Sequence, residues 1–178
     1  MEEADWTADF IAQYPITYPV VYDCEGFTDM DSRQYGMSKA ERTDIALAFL
    51  KRIEQRGYEG MFYAAKNELQ DETLWETSRI EKHYKIWVAQ FPGDADPAVH
   101  TSSYTGEHQM WQYTMEGSVP GISQPVDMNV AYFGYDGVEK PKDETPPAEA
   151  FPDVEALMDF TQVNEEAVSY THLRAHET

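Results

Sequence analysis

Asp23 and Glu25 stand at the end of Tyr18-Pro-Val-Val-Tyr-Asp-Cys-Glu-Gly26, and they are the residues of this chain best spaced to do chemistry. Val20 and Val21 are β-branched, Tyr18 and Tyr22 favour strands, and Pro19 suits a strand's first residues, so the segment reads as a short buried strand. Residues two apart on a strand point to one face, their Cα atoms about 6.6 Å apart. Cys24, between them, points the other way. Two acids on one face at the end of an apolar strand are costly unless they are solvated or used. A pair near this separation is what glycoside hydrolysis employs: one acid protonates the leaving oxygen and the other stabilises or attacks the sugar cation. Spacing alone does not single the pair out, because the chain holds 33 Asp+Glu in 178 residues and Asp153-Val-Glu155 repeats the pattern without a strand before it. The preceding strand is what distinguishes Asp23 and Glu25.

The rest of the composition narrows the chemistry. A formal net charge of −20 with 13 Lys+Arg argues against nucleic acid, which needs a basic stripe, and against docking on an anionic membrane. No apolar run approaches the roughly 20 residues of a membrane-spanning helix. Cys24 is the single cysteine, so no disulfide forms within the chain. His83, His100 and His108 lack metal-ligand spacing, and neither phosphate-loop nor dinucleotide glycines occur, so no metal or organic cofactor is expected. Cys24 is expected to be a small buried residue rather than a nucleophile, since neighbouring carboxylates would raise its pKa. Met1-Glu-Glu-Ala lacks the basic start and apolar run of a signal peptide. The 12 Tyr, 8 Phe and 4 Trp supply a core and also suit stacking on sugar rings.

The elements that would position the acids follow from periodicity. Residues 3–14 carry helical spacing, with Trp6, Phe10, Ile11 and Tyr14 on one side and Pro15 ending the run. Ser38-Lys-Ala-Glu41 is a capping box that opens a helix to about 56, with Ile45, Ala46, Phe49, Leu50 and Ile53 as its apolar stripe and Gly57 as its left-handed stop. Gly60-Met-Phe-Tyr-Ala64 is the next strand, and a short helix from near Asp71 is expected to span Leu74, Trp75 and Ile80. Strands follow at 85–90, 109–114 and 126–133. Helix and strand alternate at first, as in an α/β barrel, but the last strands have no helices between them.

Several blocks together resemble the glycoside hydrolase family 25 lysozymes (Chalaropsis-type muramidases). They are Tyr18–Glu25, Gly60–Ala64, Lys85-Ile-Trp-Val-Ala-Gln-Phe91, Met110-Trp-Gln-Tyr113, Gly117-Ser-Val-Pro-Gly-Ile122 and Val126-Asp-Met-Asn-Val-Ala-Tyr132. The resemblance implies an α/β fold, the C-terminal portion of an irregular eight-stranded (β/α)5β3 barrel of TIM-like type whose first strands are absent. It implies that residues 1–135 are a partial catalytic domain of an N-terminally truncated piece, with Met1 an internal or artificial start. Residue by residue it makes Asp23, Glu25 and Asp127 the catalytic carboxylates, with Glu25 the general acid, its pKa raised, and the two aspartates ionised. Tyr63, Trp87, Gln90 and Gln112 become candidate sugar-binding residues, although Tyr63 and Trp87 also suit plain barrel packing. The implied partner is the glycan strand of peptidoglycan, cut between N-acetylmuramic acid and N-acetylglucosamine, outside the cell or at its wall. The rival readings are a non-catalytic glycan-binding remnant and a chitin-directed hydrolase of another barrel family. The latter's spaced aspartates are replaced here by Val20, Val21 and Tyr22.

Beyond the barrel part, residues 136–158 read as an acidic, Pro-rich linker. Phe160-Thr-Gln-Val-Asn-Glu-Glu-Ala167 resembles the opening of a bacterial SH3-like wall-binding module, placed at 159–167. The tail at 168–178 resembles the in-frame translation of a transposase-type sequencing adapter, so its histidines are set aside.

Overall fold

A computed structural model of the chain describes residues 2–93 and 96–134; the expected linker at 136–158, wall-binding start at 159–167 and tail at 168–178 lie outside the described residues. Five strands form one sheet in chain order: β1 (Val20–Asp23), β2 (Gly60–Ala65), β3 (Lys85–Ala89), β4 (Met110–Gly117) and β5 (Val126–Ala131). The first four run parallel and β5 runs antiparallel to β4, through two register shifts between Gln112 and Gly117. This is an α/β fold, a five-stranded curled part of a barrel wall. The curl brings Tyr18, just before β1, against Phe133, just after β5, with ring centroids 5.4 Å apart.

Helix α2 (Lys39–Gln55) forms where its signals place it. Glu41 N–H donates to Ser38 Oγ at 3.3 Å while Ser38 N–H donates to Glu41 Oε2 at 2.9 Å, closing the first turn from both sides. Gly57, at φ +92°, takes the left-handed turn that ends it. Of the expected stripe, Ala46, Leu50 and Ile53 are buried and Phe49 packs against the core; Ile45 is 41% exposed instead, and Arg42 and Thr43 are buried beside the stripe. Leu50 and Ala46 pack with Phe62, Ile86, Val88, Trp75 and Trp111 to form the main core between helix and sheet.

Helix α1 (Glu2–Ile11) departs further from expectation. Its aromatic stripe points out: Trp6 is 62% exposed and Phe10 44%, their rings stacked 5.5 Å apart. Ala4 and Ala8 are the buried residues and pack with Ile53. The small side chains let α1 approach α2 closely enough for Asp5 to accept from Arg52 Nε at 2.8 Å and Arg56 Nη1 at 2.7 Å, which holds the Asp5 carboxyl below its usual pKa. Polar bridging and close backbone approach thus decide the face.

The single helix expected across Leu74, Trp75 and Ile80 is broken into α3 (Lys66–Leu69), a 3₁₀ turn (Gln70–Glu72) and α4 (Thr77–Glu81), with Trp75 between them. Side chains capture the backbone that a continuous helix would have used. Leu74 C=O accepts from Arg42 Nη2 at 2.7 Å, Glu76 N–H donates to Thr43 Oγ1 at 3.1 Å, and Thr77 Oγ1 donates to Leu69 C=O at 2.8 Å.

Candidate active site

Strand alternation sorts the sheet into two faces. Tyr22, Phe62, Ile86, Val88 and Trp111 turn toward the helices and are buried. Asp23, Tyr63, Trp87, Ala89, Gln112, Asp127 and Asn129 share the opposite, concave face. Asp23 ends β1 with Tyr63 as its Cα partner on β2, and Ala89 on β3 is the partner of Gln112 on β4. Because β5 runs antiparallel, its beginning lies beside the end of β4, so Asp127 sits at the same end of the sheet as Asp23 and Glu25.

At that end a cleft opens. Its polar lining is Glu25, Glu68, Asp127, Tyr63 and Gln112, and Ala65, Ala89, Phe91 and Met115 complete it. The two alanines keep the floor low. Tyr63 Oη donates to Gln112 Oε1 at 2.6 Å, fixing both side chains over Ala89. Phe91 and Met115 are 46% and 54% exposed, so apolar surface meets solvent beside three carboxyls.

Asp23 keeps solvent access, yet surrounding protein desolvates its carboxyl enough to push it up to about 6, with the Glu25 charge adding to the rise. The expectation had assigned the raised proton affinity to Glu25 and full ionisation to Asp23. Burial raises the proton affinity of Asp23, which was expected to be fully ionised. Burial raises Glu68 as well, helped by Glu25 and opposed by the Trp75 indole and the Arg42 charge. The Tyr63 hydroxyl is pushed above its usual range by burial and then by Glu25, Asp23 and Asp127, so it is a donor throughout the physiological range. Cys24 turns away from the acids and packs against the core; burial lifts its thiol to about 11.

Two of the candidate sugar-binding residues are engaged elsewhere. Trp87 lies against the Tyr63 ring at 5.2 Å, edge to face, and its Nε1 donates to Asn129 Oδ1 at 3.1 Å, so it buttresses Tyr63 from behind. Gln90 faces away from the cleft: its Oε1 accepts from Ser102 Oγ at 2.7 Å and Ser103 N–H at 2.8 Å, pinning the loop between β3 and β4. Glu68, Phe91 and Met115 were not singled out from sequence as site residues. Glu68 stands three residues after β2 and Phe91 two after β3, so a search of strand ends for acids and aromatics would have found both. Met115 carried no such signal. Among the described residues no cluster of His, Cys, Asp and Glu could hold a metal ion, and no helix is long and apolar enough to cross a membrane.

A family model described as glycosyl hydrolases family 25 matches residues 1–122. No curated protein matches the chain. Among solved structures, the chain is similar to the CTP1L endolysin (22% identity, TM-score 0.50, covering 72% of this chain and 40% of that one). It is similar also to GHIP, a glycosyl hydrolase 25 of Streptococcus pneumoniae (15% identity, TM-score 0.51, 73% and 51%). A bacterial lysozyme from Streptomyces coelicolor aligns at 20% identity and TM-score 0.49, over 75% of this chain and 63% of that one. At these identities the first two likenesses speak for the fold. The chain spans 40%, 51% and 63% of the lengths of these three proteins.

Proposed function

The chain belongs to the glycosyl hydrolases family 25, and on that premise we propose that the protein it represents is a peptidoglycan hydrolase that cleaves the β-1,4 bond between N-acetylmuramic acid and N-acetylglucosamine. The observation that carries the reading is the convergence of Glu25, Asp127 and Glu68 on one cleft beside the Tyr63–Gln112 pair. Glu25 stands beyond the end of β1, is exposed and lines the cleft, so its proton can reach a glycosidic oxygen lying there. Asp127 faces the same space from β5 and offers negative charge to an oxocarbenium-like state. Asp23, close to neutrality in its titration, holds or accepts a proton beside the reacting sugar according to pH. It orients an attacking group, whether water or the sugar's own N-acetyl oxygen. Tyr63 and Gln112 offer hydrogen bonds to sugar hydroxyls, and Phe91 and Met115 offer apolar surface to ring faces.

A binding remnant without turnover is the second reading. The outer sides of β1 and β5, unpaired among the described residues, favour it. Catalysis by pre-placed charge needs the walls in place together. The test uses two proteins, the 178-residue chain and the chain extended to the length of its relatives. Release of reducing sugar from purified cell walls by the extended protein, and its loss in Glu25→Gln, supports the hydrolase. Binding without release by both supports the remnant.

A further inference from the structure

We propose that Arg42 is a positioning residue for the cleft: its buried guanidinium ties the segment that carries Glu25 to the segment that carries Glu68. It thereby sets where the two carboxyls stand. The inference rests on the reading of this cleft as the glycan site.

Arg42 lies in the first turn of α2 and is 5% exposed. Its Nη1 donates to Met37 C=O at 2.9 Å and its Nη2 to Leu74 C=O at 2.7 Å. Met37 ends the loop that begins after Glu25, and Leu74 lies in the broken stretch after Glu68. The guanidinium also covers the Phe27 ring at 4.2 Å and approaches the Trp75 ring at 5.4 Å. Phe27 follows Glu25 by two residues, across Gly26 at φ +65°, and is buried edge-on against Trp75 at 5.4 Å. Two anchors of the Glu25 segment, the Met37 carbonyl and the Phe27 ring, therefore meet Arg42.

Packing alone is a poor reason for this residue. Among the described residues no carboxylate lies within ion-pair distance of Arg42, so its charge is held by carbonyl dipoles and ring faces. A methionine or leucine would fill such a place at less desolvation cost. A planar fork with two donors serving two separate loops is what only arginine supplies. Its charge also acts on the site, holding Glu68 down against burial. The charged and titratable groups around Glu68 are Glu25, Asp23, Cys24, Tyr63 and Arg42.

The experiment compares Arg42→Met and Arg42→Lys in the full chain, following carboxyl titrations by NMR and the affinity for an N-acetylglucosamine tetramer. Arg42→Met removes charge and fork, so the Glu68 midpoint should rise and the affinity should fall about tenfold. Arg42→Lys keeps the charge but cannot serve both carbonyls, so the midpoint should hold while the affinity still falls. If either folded variant binds the tetramer within twofold of the unaltered chain, the proposal is overturned; if Arg42→Met does not fold, Arg42→Lys alone decides. If the unaltered chain binds no tetramer, the glycan reading of the cleft is what fails. Arg42 is then judged by the ring signals of Phe27 in Arg42→Lys, which must shift if the proposal holds and stay in place if it does not.

Discussion

Tyr63 on β2 hydrogen-bonds Gln112 on β4 across the whole width of β3. Strands two apart in a flat sheet are separated by about 9.6 Å, so the contact depends on the curl of the sheet and on the small side chain of Ala89 beneath it. Gln112 is only 6% exposed, so its carbonyl is largely screened from solvent. Tyr63→Phe should therefore lower stability by about 1–2 kcal/mol, because a buried acceptor loses its donor. Chemical denaturation measures it, and a variant as stable as the unaltered chain would show that the pair is dispensable.

Asp23 should make stability depend on pH in the direction opposite to a salt-bridged acid. Its folded pKa, about 6, lies above the unfolded value of 3.8, so the folded chain binds the proton more tightly. That contribution is fully present below about pH 4 and is lost as pH rises through 6. Asp23→Asn should thus stabilise the chain at pH 7.5 by about 1 kcal/mol, a figure discounted for the solvent access of this side chain, and should do little at pH 4. Melting curves at the two pH values decide it; equal gains at both would remove the titration argument.

Glu25→Gln keeps shape and removes the transferable proton. In the extended protein it should reduce wall hydrolysis by about 10²–10⁴-fold while the melting temperature stays within a few degrees. A rate equal to that of the unaltered protein would sink the acid assignment.

On α1, Ala8→Leu should destabilise by about 1–3 kcal/mol, since Ala8 is 1% exposed against α2 and extra methyls force the helices apart. Trp6→Ser, on the exposed face, should change stability by about 0.5 kcal/mol or less. The reverse ranking would restore the aromatic stripe as the packing face.

The strands were legible because each is a short run of β-branched and aromatic residues ended by turn signals, and the α2 boundaries because a capping box and a left-handed glycine fix them locally. The faces were less so. An aromatic stripe and an alanine stripe on α1 are both helical in period, and only the partner surface, with Arg52 and Arg56 waiting for Asp5, selects between them. The break at Trp75 was invisible for the same reason: the groups that interrupt it, Arg42 and Thr43, lie about thirty positions away in sequence. In the site, strand-end acids followed from spacing, while the different fates of Gln90 and Gln112 depend on which way each strand is turned in the curled wall.

Cys24 supplies a clock. It is the only thiol in the chain, lies between the two acids and is turned into the core behind them. Burial holds its thiol up to about 11, so little thiolate is present at pH 8 and a maleimide labels it slowly. The labelling half-time thus reports how well the protein covers this one thiol, with no competing site to subtract. A sugar that settles over Glu25 should lengthen it, even in a chain that cuts nothing.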